Sequence, residues 1–245
     1  MKKALPKNNF QQTCAWCGGK YYDRAHVPTK FLIPKSERNN PKWPILPSCQ
    51  KCNQGLKLDE EWLTVHFSSM LYDYSDVAKK MFDGPVTKHL QKLTPIAARY
   101  NKYLSLVELK VNGNSLGLKT RIDMNQEDWD RLERVAEMFA RGLYYWHNQR
   151  TAQKLKAKIV YLTPKRFKDF SSHMTSLKVY PIFPITFEYA YGYVSETEEA
   201  AFVIMIYGKP AFQILLIKDE KYDLMESKVK SGEIIQTHEP GIEIY

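Results

Sequence analysis

The chain has 245 residues, enough for one large domain or two small ones, and 44% of them are hydrophobic, the ordinary share for a folded protein rather than a disordered one. Its net charge of +9 argues against an acidic solvating chain, and the basic start MKKALPKNNF lacks the apolar centre of a signal peptide. The longest apolar stretch, residues 200–217, is broken by Tyr207-Gly208-Lys209-Pro210, so it reads as two strands and a turn, not a membrane span; a cytoplasmic location is expected.

Residues 10–58 are rich in Gly, Pro, Asn and Lys and poor in helical periodicity, which predicts short strands and turns. At Asp59-Glu60-Glu61 the texture changes. This acidic turn leads into Trp62, Val65, Met70 and Leu71 at amphipathic spacing, which predicts a helix. Further helix is expected over 76–82 and 87–103, separated by Gly84-Pro85. A β-hairpin is then expected over 104–111 and 116–124, turning at Asn112-Gly113-Asn114. Asn125 reads as the N-cap of the clearest helix, whose core face is Trp129, Leu132, Ala136, Phe139, Ala140 and Leu143, ending in the cluster Tyr144-Tyr145-Trp146. Segments 158–162, 185–194, 201–207 and 211–218 have the β-branched and aromatic content of strands, and Pro181 and Pro184 make the start of that region loop or edge. The expected fold class is α+β, with a small metal-bound module over 1–70 followed by an α+β domain over 71–245 that carries helices and an antiparallel sheet.

All four cysteines lie in two close pairs, Cys14-Ala-Trp-Cys17 and Cys49-Gln-Lys-Cys52. Two CxxC turns can aim four thiolates at one tetrahedral Zn²⁺, and a reducing compartment favours metal over disulfides. Between the pairs stands Ala25-His26-Val27-Pro28, and Asn53 follows the last cysteine. His26 can take a proton from water near neutrality, Pro28 favours an extended backbone at Val27, and the Asn53 amide oxygen suits a hard divalent cation. Residues 1–58 hold 11 Lys and Arg against 2 Asp and Glu, so the whole charge excess lies on this segment, while the remaining 25 basic and 25 acidic residues cancel. A local field of that kind suits a polyanion such as DNA or RNA. Lys20, Arg24, Lys30, Lys35, Arg38 and Lys42 interleave with Tyr21, Tyr22 and Trp43, a pattern suited to phosphate contact and base stacking; packing of the two tyrosines on the zinc knuckle is the competing expectation. His66, His89, His147, His173 and His238 show no ligand spacing and are expected to be structural or exposed.

Over about residues 10–65 the chain resembles the HNH endonucleases of the His-Me finger class, in the branch with CxxC-Gly, His-Val-Pro-x-Lys and Pro-x-Cys-x-x-Cys-Asn. Here these are Cys14-Ala-Trp-Cys17-Gly18, His26-Val27-Pro28-Thr29-Lys30 and Pro47-Ser48-Cys49-Gln50-Lys51-Cys52-Asn53, with Gly55 and Asp59-Glu60-Glu61 completing the match. The resemblance implies a β-hairpin followed by a helix, His26 as general base, and Asn53 as a ligand of a catalytic Mg²⁺ or Mn²⁺. It also implies a structural zinc on Cys14, Cys17, Cys49 and Cys52, and hydrolysis of DNA. A role in restriction or anti-phage defence, with a companion protein, is a looser association. The chain departs from the pattern at Ala25, where such proteins usually carry an acidic metal ligand; Asp23, Asp59 or Glu60 could substitute. The middle asparagine would fall near Pro44, where Asn39 or Asn40 could serve. A zinc-dependent nucleic-acid-binding protein without catalysis is the alternative.

Overall fold

The structure is a computed structural model that describes residues 13–92, 94–111, 114–122, 124–162 and 178–230. His173 and His238 lie outside the described residues. The chain is a mixture of helices and antiparallel sheets, an α+β protein.

The N-terminal segment begins with β1 (Asp23–His26), which pairs antiparallel with β2 (Ile45–Ser48) in the register Asp23 to Ser48 and His26 to Ile45. A short helix, α1 (Gln50–Gln54), follows at once, capped by the sulfur of Cys49, and then α2 (Lys57–Met70). The acidic turn at Asp59 therefore lies inside α2, whose first turn starts two residues earlier than the sequence indicates. Next come α3 (Asp76–Met81), a π-helical turn over Phe82–Val86, α4 (Thr87–Leu90) and α5 (Pro95–Tyr103). This stretch corrects the expected pattern at two points. Gly84-Pro85 does not separate the flanking helices but sits in the wide π turn that links them, where a missing amide is tolerated. The helix expected over 87–103 is a pair of helices, because Pro95 starts a new one at its first turn with Thr94 as cap.

The expected hairpin is present as β3 (Leu104–Val111) and β4 (Asn114–Ile122), a separate two-stranded sheet. After it, α6 (Gln126–Asn148) is the longest described helix, opened by a full capping box between Asn125 and Asp128. The remaining strands are β5 (Lys156–Tyr161), β6 (Lys178–Phe183), β7 (Phe187–Val194), β8 (Glu199–Ile206) and β9 (Lys209–Ile217). They form one antiparallel sheet in the order β5-β9-β8-β7-β6. β6 is an edge strand, the one place in a sheet where Pro181 costs no ladder bond. The turn from β8 to β9 has positive φ at both Tyr207 and Gly208, which matches the twist of a two-residue hairpin. A last helix, α7 (Asp219–Lys230), was not expected; it sits beside β5, with Asp223 3.3 Å from Lys156 and Tyr222 beneath that lysine.

α6 lies on the sheet face that presents Phe187, Tyr189, Tyr191 and Tyr193. Phe139 meets Phe187 edge-on, His147 shares a 2.8 Å hydrogen bond with the Tyr189 hydroxyl, and Asn148 donates to Tyr191. The other side of α6 supports the N-terminal hairpin. Trp16 donates its indole N–H to Met138 O at 2.9 Å, and Gly142 faces Val27, Leu46 and Trp16. One hydrophobic cluster thus runs from Cys14 and Trp16 through Trp62 and Phe67 to Phe202 and Leu216, without a break near residue 70. Among the described residues no helix is long and apolar enough to cross a membrane.

Candidate metal centre and hairpin site

The four cysteines converge. Their sulfurs all lie within 4.8 Å of one another, and Cys17 Sγ is 3.7 Å from Cys49 Sγ. Tetrahedral zinc with bonds of about 2.3 Å needs sulfurs roughly 3.8 Å apart, so the donor set fits this metal. Local backbone chemistry places the ligands. In the first knuckle Gly18 donates to Cys14 O at 2.9 Å and adopts a φ of 61°, a left-handed turn that glycine makes without steric cost. In the second, the Cys52 amide donates to the Cys49 sulfur and draws that thiol down to about 7, while burial pushes the Cys52 thiol up. The four sulfurs could hold a zinc ion, and among the described residues no other group of three or more Cys, His, Asp and Glu side chains converges in this way.

The hairpin that joins the knuckles carries His26 as the last residue of β1. Its ring leans on Trp43 with centroids 4.5 Å apart. Trp43 is itself buried and pinned by a 2.9 Å hydrogen bond from its indole N–H to Pro28 O, so it supports His26 from below and is not a stacking surface for a ligand. Burial, helped by the positive charge of Lys30, pulls the His26 imidazole down to about 4. At neutral pH the ring is uncharged and has a lone pair to accept a proton.

Asp23 and Asn53, 30 residues apart in the chain, meet. The Asn53 side chain donates to Asp23 Oδ2 at 2.6 Å, and the other carboxylate oxygen accepts from the Arg24 amide at 2.7 Å. Both side chains reach solvent, and the turn of the Asn53 amide would present its oxygen beside a carboxylate, the donor pair that a hard cation prefers.

The other expected ligands are elsewhere. Asp59 is buried, and both its oxygens are held by arginines of α6, at 2.6 Å from Arg131 and 2.8 Å from Arg134. A carboxylate so occupied is a tie between α2 and α6. Glu60 points to the loop after His26 and accepts from the buried Thr29 hydroxyl at 2.8 Å. Burial pushes its carboxyl up to about 7, against the Thr29 hydrogen bond and with some help from Glu61 and Asp59. Asp23, Asp59 and Glu60 therefore do not gather around one point. Asn40 is committed to structure, donating to Ile182 O of β6 and accepting the Lys42 amide at 2.9 Å.

Two contributors carry no signal in the sequence. Thr29 sits inside the His-Val-Pro-x-Lys segment, but nothing in the spacing links it to Glu60 until α2 returns past the hairpin. Gly142 lies in an ordinary amphipathic pattern, and its close contact with Val27 is visible only in three dimensions. No family model, curated protein or solved structure matches the chain.

Proposed function

We propose that this protein is a metal-dependent endonuclease that hydrolyses DNA phosphodiester bonds with His26 as general base. The observation that carries this reading is the 2.6 Å pairing of Asp23 with Asn53 on a hairpin-and-helix frame tied by four cysteines and bearing an uncharged histidine. Asp23 supplies the carboxylate that Ala25 cannot, and with Asn53 it would hold Mg²⁺ or Mn²⁺. Such a cation contributes charge stabilisation on the phosphate and on the departing 3′ oxygen. His26 accepts a proton from water as the water oxygen bonds to phosphorus; the bond from phosphorus to the 3′ oxygen breaks, and that oxygen takes a proton from solvent. Trp43 fixes the imidazole, and Glu60, through Thr29, fixes the loop that follows it. Zinc on Cys14, Cys17, Cys49 and Cys52 has a structural role only.

The test is cleavage of supercoiled plasmid and of circular single-stranded DNA with added Mg²⁺ or Mn²⁺. The wild type is expected to cut, and His26→Ala to lose about 10²- to 10⁴-fold in rate, the usual worth of a positioned base. Asp23→Ala and Asn53→Ala are expected to raise the metal concentration needed for half-maximal rate. Wild-type protein that leaves both supercoiled plasmid and circular single-stranded DNA intact with every metal would overturn the assignment.

A second reading, a zinc-dependent nucleic-acid-binding protein without catalysis, is favoured by one observation: with Ala25 on β1 and Asp59 engaged by two arginines, Asp23 is, among the described residues, the one carboxylate hydrogen-bonded to Asn53. It predicts salt-sensitive DNA binding that survives His26→Ala and Asn53→Ala, with no cleavage. Membership of a defence system with a companion protein rests on the resemblance alone.

A further inference from the structure

Tyr22 carries its ring on the surface. It is 68% exposed, the most exposed of the large hydrophobic side chains described, although its backbone is fixed, with its amide bonded to Ser48 O at 3.0 Å. Its ring meets a cation, Lys20, whose Nζ stands 5.4 Å from the ring centroid. Lys20 is anchored in turn by a bridge to Thr13 at the mouth of the first cysteine knuckle. The backbone at both residues is therefore held, and the ring is open to solvent.

Its surroundings are those of a polyanion site. Arg24 and His26 alternate along β1, which brings an exposed guanidinium and the histidine to one side of the hairpin, and the exposed ring of Tyr22 immediately precedes that strand. Asp23, by the same alternation, points to the other face of the strand, where it meets Asn53. Lys51 and Lys57 are also exposed, on α1 and at the start of α2. A planar ring capped by an ammonium and flanked by cations suits a nucleobase stacked on the ring with its phosphates on the lysines and arginine. A base inside a duplex is already stacked on both faces and cannot use such a ring; an unpaired one can.

We infer that Tyr22 with Lys20 is a stacking platform for an unpaired nucleotide next to the cleavage point, so that the substrate is DNA that is single-stranded there. This inference rests on the proposed function for the meaning of the neighbouring site, but its test is a binding measurement that does not need cleavage. Anisotropy of a labelled 20-nucleotide single strand of DNA, its duplex and the matching RNA strand is titrated without added divalent ion against the wild type, Tyr22→Ala, Tyr22→Leu, Tyr22→Phe and, as a control with a distant half-exposed ring, Tyr74→Ala. Zinc content and melting temperature are checked for each. The expected result is that Tyr22→Ala and Tyr22→Leu weaken single-strand DNA binding about 5- to 100-fold, the range of one lost stacking contact, while duplex binding changes less than twofold. Tyr22→Phe and Tyr74→Ala should behave as wild type, and Lys20→Ala should reduce both affinity and its salt dependence. Equal single-strand affinity for Tyr22→Ala and wild type overturns the inference, as does wild-type preference for duplex. Tighter, Tyr22-dependent binding of the RNA strand reassigns the substrate. A wild type that binds single strands through Tyr22 and cuts nothing would sink the nuclease reading and leave the platform standing.

Discussion

His26 and His66 show how the same side chain is read in different ways from its neighbours. Both imidazoles are drawn down to about 4 by burial. His26 ends a strand at the edge of solvent and leans on one ring, whereas His66 is buried among Phe67, Trp129 and Tyr161 with neither ring nitrogen hydrogen-bonded. An unfolded histidine protonates near 6.5, so a folded pKa near 4 contributes stability that is complete above 6.5 and is lost as the pH falls toward 4. Thermal melts at stepped pH should show His66→Phe losing less stability than wild type over that window, by an amount on the order of 3 kcal/mol at its acid end. For His26 the same direction predicts a cleavage rate that stays high well below pH 6.5, with the acid limb of the pH–rate profile displaced toward 4; a limb at the ordinary histidine value would place the working base elsewhere. The candidate ligands divide in the same manner. The cysteine spacing and the His-Val-Pro segment were legible because metal ligands and proline leave fixed intervals in a chain. The fate of Asp59 was not, because its partners, Arg131 and Arg134, are 72 and 75 residues away.

Among the elements, α6 was the most legible and is also the most heavily used. Asn125, a long apolar stripe and no internal proline announce it, and the capping box is present. Asn125→Ala should lower stability by about 1 kcal/mol, read as a shift of the urea midpoint with an unchanged slope. Less legible is what each side of the helix does, because periodicity reports that a face is buried and not what it meets. Gly142 marks the closest contact: a Cβ there would stand 2.8 Å from Val27 Cγ2 and 3.2 Å from Leu46 Cδ1 and Trp16 Cζ2. Gly142→Ala, which would raise the intrinsic helix propensity of an exposed position, is expected here to destabilise by about 1–3 kcal/mol. Differential scanning calorimetry decides the sign. α7 escaped prediction, whereas β6 was expected as loop or edge and is an edge strand. Pro181 and Pro184 mark an edge strand that tolerates them, and α7 has a mostly polar sequence, held beside β5 with the help of ion pairs from its acidic side chains to Lys156 and Lys158.

At the scale of the whole molecule, the cysteine knuckles and the sheet are opposite ends of one packed interior. Trp16 reaches Met138, Tyr207 donates to Leu32 O at 3.1 Å, and Thr186 donates to Glu37 at 3.2 Å, so the loop between the knuckles is fastened to the sheet as well as to α6. Withdrawal of zinc should therefore be felt beyond the hairpin. A strong chelator is expected to lower the melting temperature of the full chain, with the release of one zinc per chain measured by a metal-sensitive dye.

The glycine seat on α6 bears on whether the cysteine-hairpin segment is portable. Val27, Leu46 and Trp16 keep their shape by resting on a helix that begins more than 70 residues after the last cysteine. Residues 1–70 expressed alone would present that apolar underside to water. Such a piece should aggregate or bind zinc without a cooperative melt, whereas a graft that carries α6 along with the hairpin should keep both.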